Sequence, residues 1–351
     1  MTNLSVLTAC SPKVLIPHLI RSLKARRTPI VRSSPGMGKS DIARKIARDH
    51  NLKLIDIRLS QCDPTDLNGL PNFENGYAVY TPFVFFPVEG ADPGINPETG
   101  KPYAGWMLLF DEITSAPKQI QAAAYKIILD RQIGMHDLDR RVVMMAAGNQ
   151  ENDNAVVHQM STALKSRLVH YDMVVNKDDW IDWAIEHNID TRITAFISFK
   201  PKLLHNFDPE TTEHTFPCPR TWEFVHDHIK DYAEIGQDDF APIAGCVGPG
   251  AANEFIEFCR IYTTLPKISA ILANPAGVHI PSEPGIKYAL SMMLVEHFDI
   301  NNADDLLTFL DRLPVEARVI CLRTLAQRNQ TMLQHAGVAK RFGQFGRALA
   351  A

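Results

Sequence analysis

Cysteine is scarce and scattered in this chain: six residues, at positions 10, 62, 218, 246, 259 and 321, with no Cys-x-x-Cys pair. That spacing excludes a disulfide framework and a paired-cysteine zinc site, and it fits a reducing compartment. Thirteen histidines are present, but none falls at metal-ligand spacing, and His226-Asp227-His228 reads as a surface segment beside a helix. No apolar run reaches the roughly 20 residues needed to span a membrane. No secretory leader opens the chain, so the expected location is the cytoplasm. A net charge of −4 leaves no general footprint for nucleic acid. The local basic cluster Arg21, Lys24, Arg26 and Arg27 reads as a solvated helix face. No internal repeat is visible.

What is present is an ordinary globular composition, 45% hydrophobic and 22% charged, in a chain of 351 residues, long for a single core. Its most informative stretch is Ser34-Pro35-Gly36-Met37-Gly38-Lys39-Ser40-Asp41. The β-prone Ile30-Val31-Arg32 precedes it and a helical pattern over residues 41–48 follows, the context a phosphate-binding loop requires. Gly36 and Gly38 allow positive φ and close approach of backbone N–H groups to a phosphate. The helix N-terminus adds partial positive charge. Lys39 can reach the β- and γ-phosphates of a nucleotide, and the Ser40 hydroxyl can ligate Mg²⁺. The strict eight-residue pattern would begin with glycine, a place taken here by Ser33.

Further strands are expected at 53–59, 106–110, 141–147 and 168–175, and helices at 12–26, 117–131 and 158–166. This alternation predicts an α/β fold, a parallel sheet with helices on both faces. Residues 68–105 interrupt it with six prolines and several glycines. Within them Asn75-Gly76 lies between aromatic flanks, a hairpin signal, and Phe83-Val84-Phe85-Phe86 is densely apolar. The segment reads either as a loop packed on the core or as an inserted hairpin that touches a partner. After residue 175 the pattern is helical only. Asn176 with Asp179 suggests a capped helix start. Further helices fit 219–234, 251–262, 284–297, 303–312 and 315–329, with proline-rich connectors at 264–284 and a loosely held end around Phe342–Gly346.

Met107-Leu108-Leu109-Phe110-Asp111-Glu112 is an apolar strand ending in two carboxylates. In open parallel sheets ligands bind beyond the carboxyl ends of strands. Asp111 would then hold Mg²⁺ through its water shell, and Glu112 would polarise an attacking water. Asn149, after the strand at 141–147, can donate to a γ-phosphate and accept from that water; a plain turn residue is the alternative. Arg167 lies where a helix gives way to the last strand, and could serve a neighbouring subunit's nucleotide or a surface salt bridge. Arg220 follows Pro219 in the first turn of a helix, where a cation opposes the dipole unless a phosphate is bound.

With these residues in order, the chain resembles AAA+ ATPases, and most closely their MoxR-like branch. The resemblance places Walker A, Walker B, sensor 1, arginine finger and sensor 2 on Ser33–Ser40, Asp111-Glu112, Asn149, Arg167 and Arg220. Asp66-Leu67-Asn68-Gly69-Leu70-Pro71, Asp111–Pro117, Leu129-Asp130-Arg131 and Ala147-Gly148-Asn149 also resemble that branch. It implies an α/β nucleotide-binding domain over 1–175 with an insert at 68–105, a helical lid over 176–265 and a helical region over 266–351. It further implies ATP and Mg²⁺ as ligands and a homo-oligomeric, usually hexameric, ring. Chaperone-like work on a protein partner is implied too, often one with a von Willebrand factor A domain. A nucleic-acid motor and a nucleotide switch remain as alternatives. A basic insert would favour the motor, yet Lys101 is the lone basic residue of 68–105, outnumbered there by acidic ones.

Overall fold

Strand, loop and helix alternate through the first half of the chain because apolar runs of five to seven residues are separated by amphipathic stretches of helical period. The structure is a computed structural model describing residues 9–150, 160–210, 213–280, 284–328 and 330–345. Two compact units divide it, Met1–Val175 and Asn176–Ala351.

The first unit begins with β1 (Ala9–Cys10), α1 (Pro12–Lys24), β2 (Thr28–Arg32), α2 (Lys39–Asp49), β3 (Leu52–Arg58) and the short α3 (Pro64–Asn68). A hairpin follows, β4 (Leu70–Glu74) and β5 (Tyr77–Thr81), and then β6 (Gly105–Asp111) and α4 (Lys118–Asp130). A second small hairpin, β7 (Gln132–Ile133) and β8 (His136–Asp137), leads to β9 (Val142–Gly148), α5 (Thr162–Lys165) and β10 (Leu168–Met173). Six strands form one sheet in the order β1-β10-β2-β9-β6-β3, and every pairing is parallel. The expected fold class, a parallel sheet with helices on both faces, is the one found. Strand side chains alternate between two cores. Val31, Met107, Leu109 and Met145 meet α1 and α2 on one face. Ile30, Leu108, Phe110 and Met144 meet α4 on the other. All of β6 is buried, which is why it reads as a continuous apolar run.

Within the insert, β4 and β5 pair antiparallel around Asn75 and Gly76, whose φ angles of 52° and 84° suit a tight hairpin turn. The ribbon stands away from the sheet cores: Phe73 and Tyr77 are 79% and 76% exposed. The apolar run behind it divides, with Phe86 buried and Val84 fully exposed. Gly134, in the turn between β7 and β8, lies so close to the first hairpin that a Cβ there would come within 2.9 Å of the Tyr80 Cβ. The adjacent Met135 is exposed.

The second unit is helical: α6 (Lys177–Glu186), α7 (Thr191–Phe199), α8 (Pro219–Ile229), α9 (Phe240–Val247), α10 (Pro249–Thr263), α11 (Ile268–Ala273), α12 (Pro284–His297), α13 (Ala303–Leu310), α14 (Val315–Arg328) and α15 (Ala336–Gln344). It holds two apolar cores. One gathers Phe196, Trp222, Phe255 and Phe258, and the other Leu290, Leu306, Phe309 and Leu322.

Three expectations are corrected. The helix expected at 158–166 is only α5; Ser161 is extended and its Oγ caps the Leu164 N–H at 3.2 Å, so the helix starts after it. Residues 158 and 159 lie outside the described residues. The helix expected to run to 234 stops at Ile229, where Tyr232 N donates to Ile229 O in a tighter turn. The C-terminal segment is helical through Gln344, with Phe342 and Phe345 packed on the second core. Residue 346 lies outside the described residues.

Trp222 is fully buried, donates from Nε1 to Leu203 O at 2.7 Å and sits 5.5 Å from the Phe196 ring. Trp222→Ala is expected to destabilise the second unit by about 3–5 kcal/mol, checked by urea unfolding followed by circular dichroism.

Candidate functional site

Parallel strands send their C-terminal loops to one edge of a sheet, and β2, β9 and β6 are neighbours. Arg32, the last residue of β2, sits opposite Gly148, the last of β9. Its guanidinium is fixed on the other side by the buried Asp172 of β10, with Nε 3.0 Å from Oδ1. The loop that follows is thereby anchored at its base.

In that loop Gly36 and Gly38 have φ of 74° and 82°, the left-handed region that favours glycine. Gly38 is the residue before α2, so Lys39 and Ser40 open the helix with their N–H groups unpaired by helical bonds. Ser34, Pro35 and Met37 complete the turn, and Asp41 pairs with Arg44 on the helix surface. Ser33 is fully buried and is absent from the positive-φ residues. A side chain is therefore tolerated where the strict motif has glycine. Its hydroxyl accepts from Lys39 Nζ at 3.1 Å and donates to Ser34 O at 2.9 Å.

Lys39 Nζ also donates to Ser33 O at 3.0 Å and to Asn149 Oδ1 at 3.0 Å. Ser40 Oγ donates to Asp111 Oδ2 at 2.6 Å. The loop after β2 thus touches the ends of both β6 and β9. Ser40 and Asp111 form a pair of hard oxygen donors within one hydrogen bond of each other, a set suited to Mg²⁺. Among the described residues no group of three His, Cys, Asp or Glu side chains is placed to hold a metal.

Glu112 has φ of 57°, uncommon for a residue with a side chain. Its N–H donates to Asp111 Oδ1 at 2.8 Å. Its carbonyl accepts from Ser115 and Ala116, closing a turn that the buried Gln121 of α4 braces by donating to Ile113 O at 3.1 Å. The Glu112 carboxylate accepts a hydrogen bond from Ser60 Oγ, beyond the end of β3. Ser60 and Gln121 carry no local sequence signal. Each is brought to the site by contacts that depend on strand order or on helix packing.

Arg167 is exposed, its Nη1 donating to the neighbouring Ser166 Oγ at 2.8 Å. Arg220 belongs to the second unit, exposed at the second position of α8, with no hydrogen-bond or ion-pair partner among the described residues. A cleft of about 430 Å³ elsewhere in that unit is walled by Phe196, Phe199 and Phe258 and rimmed by an exposed Lys200–Glu254 pair. Exposed pairs of that kind contribute little, and the cleft brings together none of the residues above.

With this geometry in place, comparison with known proteins adds little. No family model matches the chain, and no curated protein matches it. Solved structures similar to the chain include the following two. One, a Cytophaga hutchinsonii protein assigned as an ATPase, is 13% identical, with a TM-score of 0.35 over 97% of this chain and 90% of that one. The other, a point mutant of RuvB from Thermotoga maritima, is 14% identical, with a TM-score of 0.33 over 82% of this chain and 73% of that one. Likenesses this distant fix neither chemistry nor assembly.

The site is crowded with carboxylates. Asp56 on β3 is held above the ordinary value of 3.8, by burial first and then by Asp111, while Arg44 and Arg58 pull it down and Glu112 pushes it up. A carboxyl group raised in the folded state opposes folding when ionised. The penalty is complete above the folded pKa and vanishes below the unfolded value near 3.8. Asp56→Asn is therefore expected to raise the urea midpoint at neutral pH, with the gain fading as pH falls below the unfolded value; denaturation series across pH check this.

Proposed function

We propose that this chain is an AAA+ ATPase of MoxR-like type that hydrolyses ATP with Mg²⁺. The observation that carries the reading is the meeting of three strand ends: Ser40 Oγ lies 2.6 Å from Asp111 Oδ2, and Lys39 Nζ 3.0 Å from Asn149 Oδ1. A glycine loop opening an ordinary helix would require neither contact.

In this reading the N–H groups of residues 36–40 and the Lys39 ammonium bind the nucleotide phosphates. Ser40 and Asp111 would hold Mg²⁺, which would supply charge neutralisation at the nucleotide phosphates. Glu112 leaves Ser60 and accepts a proton from a water molecule whose oxygen attacks the γ-phosphorus. The bond to the β,γ-bridging oxygen breaks, its electron pair departs with ADP, and the proton passes on to phosphate. Asn149 orients the water and the γ-phosphate. Arg220, opposing the dipole of its own helix, is matched to a phosphate.

Arg167 is the finger. Its exposure supports a role across an interface between copies, and hence a ring. The ribbon of β4 and β5, with Phe73 and Tyr77 in water beside Glu74, supports a protein partner for the insert. The helices after residue 175 would supply the lid.

Glu112→Gln should keep ATP binding and lower turnover by at least about 100-fold, measured by phosphate release beside fluorescent-nucleotide titration. Full activity would remove Glu112 from the base role. Arg167→Ala should bind nucleotide and assemble normally, yet hydrolyse ATP poorly. Mixing it with Lys39→Ala should restore part of the activity, since some interfaces then combine an intact loop with an intact finger; a mixture as inactive as its parts would argue against action between subunits.

A further inference from the structure

The turn after Asp111 does more than carry Glu112. Thr114, two residues on, is buried, and its Oγ1 accepts the backbone N–H of Asn149 at 2.9 Å. The fit is close. A Cβ on Gly148 would lie 2.7 Å from Thr114 Cγ2 and 2.8 Å from Oγ1, so only a residue without a side chain lets the hydroxyl reach the next amide. The same turn is held to β9 a second time, by Ile113 N donating to Ala147 O at 3.0 Å. Beyond Asn149 the hydrogen bonds continue through its side chain to Lys39 and on to Ser33.

Two strand ends that separately carry Glu112 and Asn149 are therefore joined at one hydroxyl. The backbone N–H of Asn149 falls after the last paired residue of β9. That amide is half-buried, and its acceptor is the Thr114 hydroxyl. A water or a carbonyl would satisfy the amide equally well. Thr114 is distinctive because its own backbone belongs to the Glu112 turn, so satisfying the amide also fixes the spacing between the two groups that flank the attacking water.

We infer that Thr114 is a positioning residue for hydrolysis: it touches neither nucleotide nor water, and sets Asn149 relative to Glu112. The inference rests on the ATPase reading above. It concerns alignment, so its signature is a loss in kcat with nucleotide affinity retained.

The test compares the full chain with Thr114→Val, which keeps the shape and loses the acceptor, and with Thr114→Ser, which keeps the acceptor. Thr114→Val should lower kcat about tenfold or more with the Kd for ATP within about threefold of the parent, and Thr114→Ser should restore most of kcat. Amide hydrogen exchange of the parent gives a reading independent of any variant's folding: the Asn149 N–H should be protected, and rapid exchange there would overturn the proposal. A Thr114→Val protein that melts earlier but keeps kcat would show a merely structural hydroxyl and overturn it as well, as would a change confined to KM. A parent that binds ATP but turns over none at any protein concentration would overturn the hydrolytic reading, and this role with it. A hydrolysing parent matched by an equally active Thr114→Val overturns this role alone.

Discussion

Parallel pairing of β2 with β9 and of β9 with β6 is the constraint from which the rest follows. Each strand must be fed by a crossover, so the loop leaving its C-terminal end lies on the same edge as its neighbours' loops. Residues 33–40, 111–114 and 148–149, far apart in the chain, are thereby placed within hydrogen-bond reach. The register is held from both sides: Arg32 is tied to the buried Asp172, and Asn149 to Thr114. Moving β6 from its place beside β9 would separate Asp111 from Ser40 even if every local element still formed.

The same edge works against stability. Burial, joined by the charges of Asp111 and Glu112, raises the pKa of Asp56, and Glu112 occupies a backbone region where side chains are strained. Positions such as these, where local preference is overridden, are expected at functional sites. A cation at Ser40 and Asp111 would relieve the repulsion.

The sequence made the loop of residues 33–40 legible because glycine, lysine and serine there have a fixed chemical meaning once a strand precedes and a helix follows. The acidic end of β6 was legible for a similar reason. Strand order was not, since nothing local in β9 says that it lies between β2 and β6. β1, two residues long, is too short for any periodicity. Helix α9 carries Pro242 and Gly245, and α15 carries Gly337 and Gly343, residues that read as breaks until packing overrides them. Ser60 carries no signal in the sequence, and Thr114 stands there only as part of the Asp111–Pro117 stretch, because a hydroxyl gains its role from a partner 52 or 35 positions away. Ser33 departs from the strict motif, and its hydroxyl gains a task only in the fold, between Lys39 Nζ and Ser34 O.

Among the described residues the buried apolar side chains fall into four clusters, two against the sheet and two among the helices. Cooperativity in a protein extends about as far as a shared core does. The two sheet clusters share their strands and stand or fall together, whereas the helical clusters belong to the other unit, so a melting temperature taken on the whole molecule averages over two units.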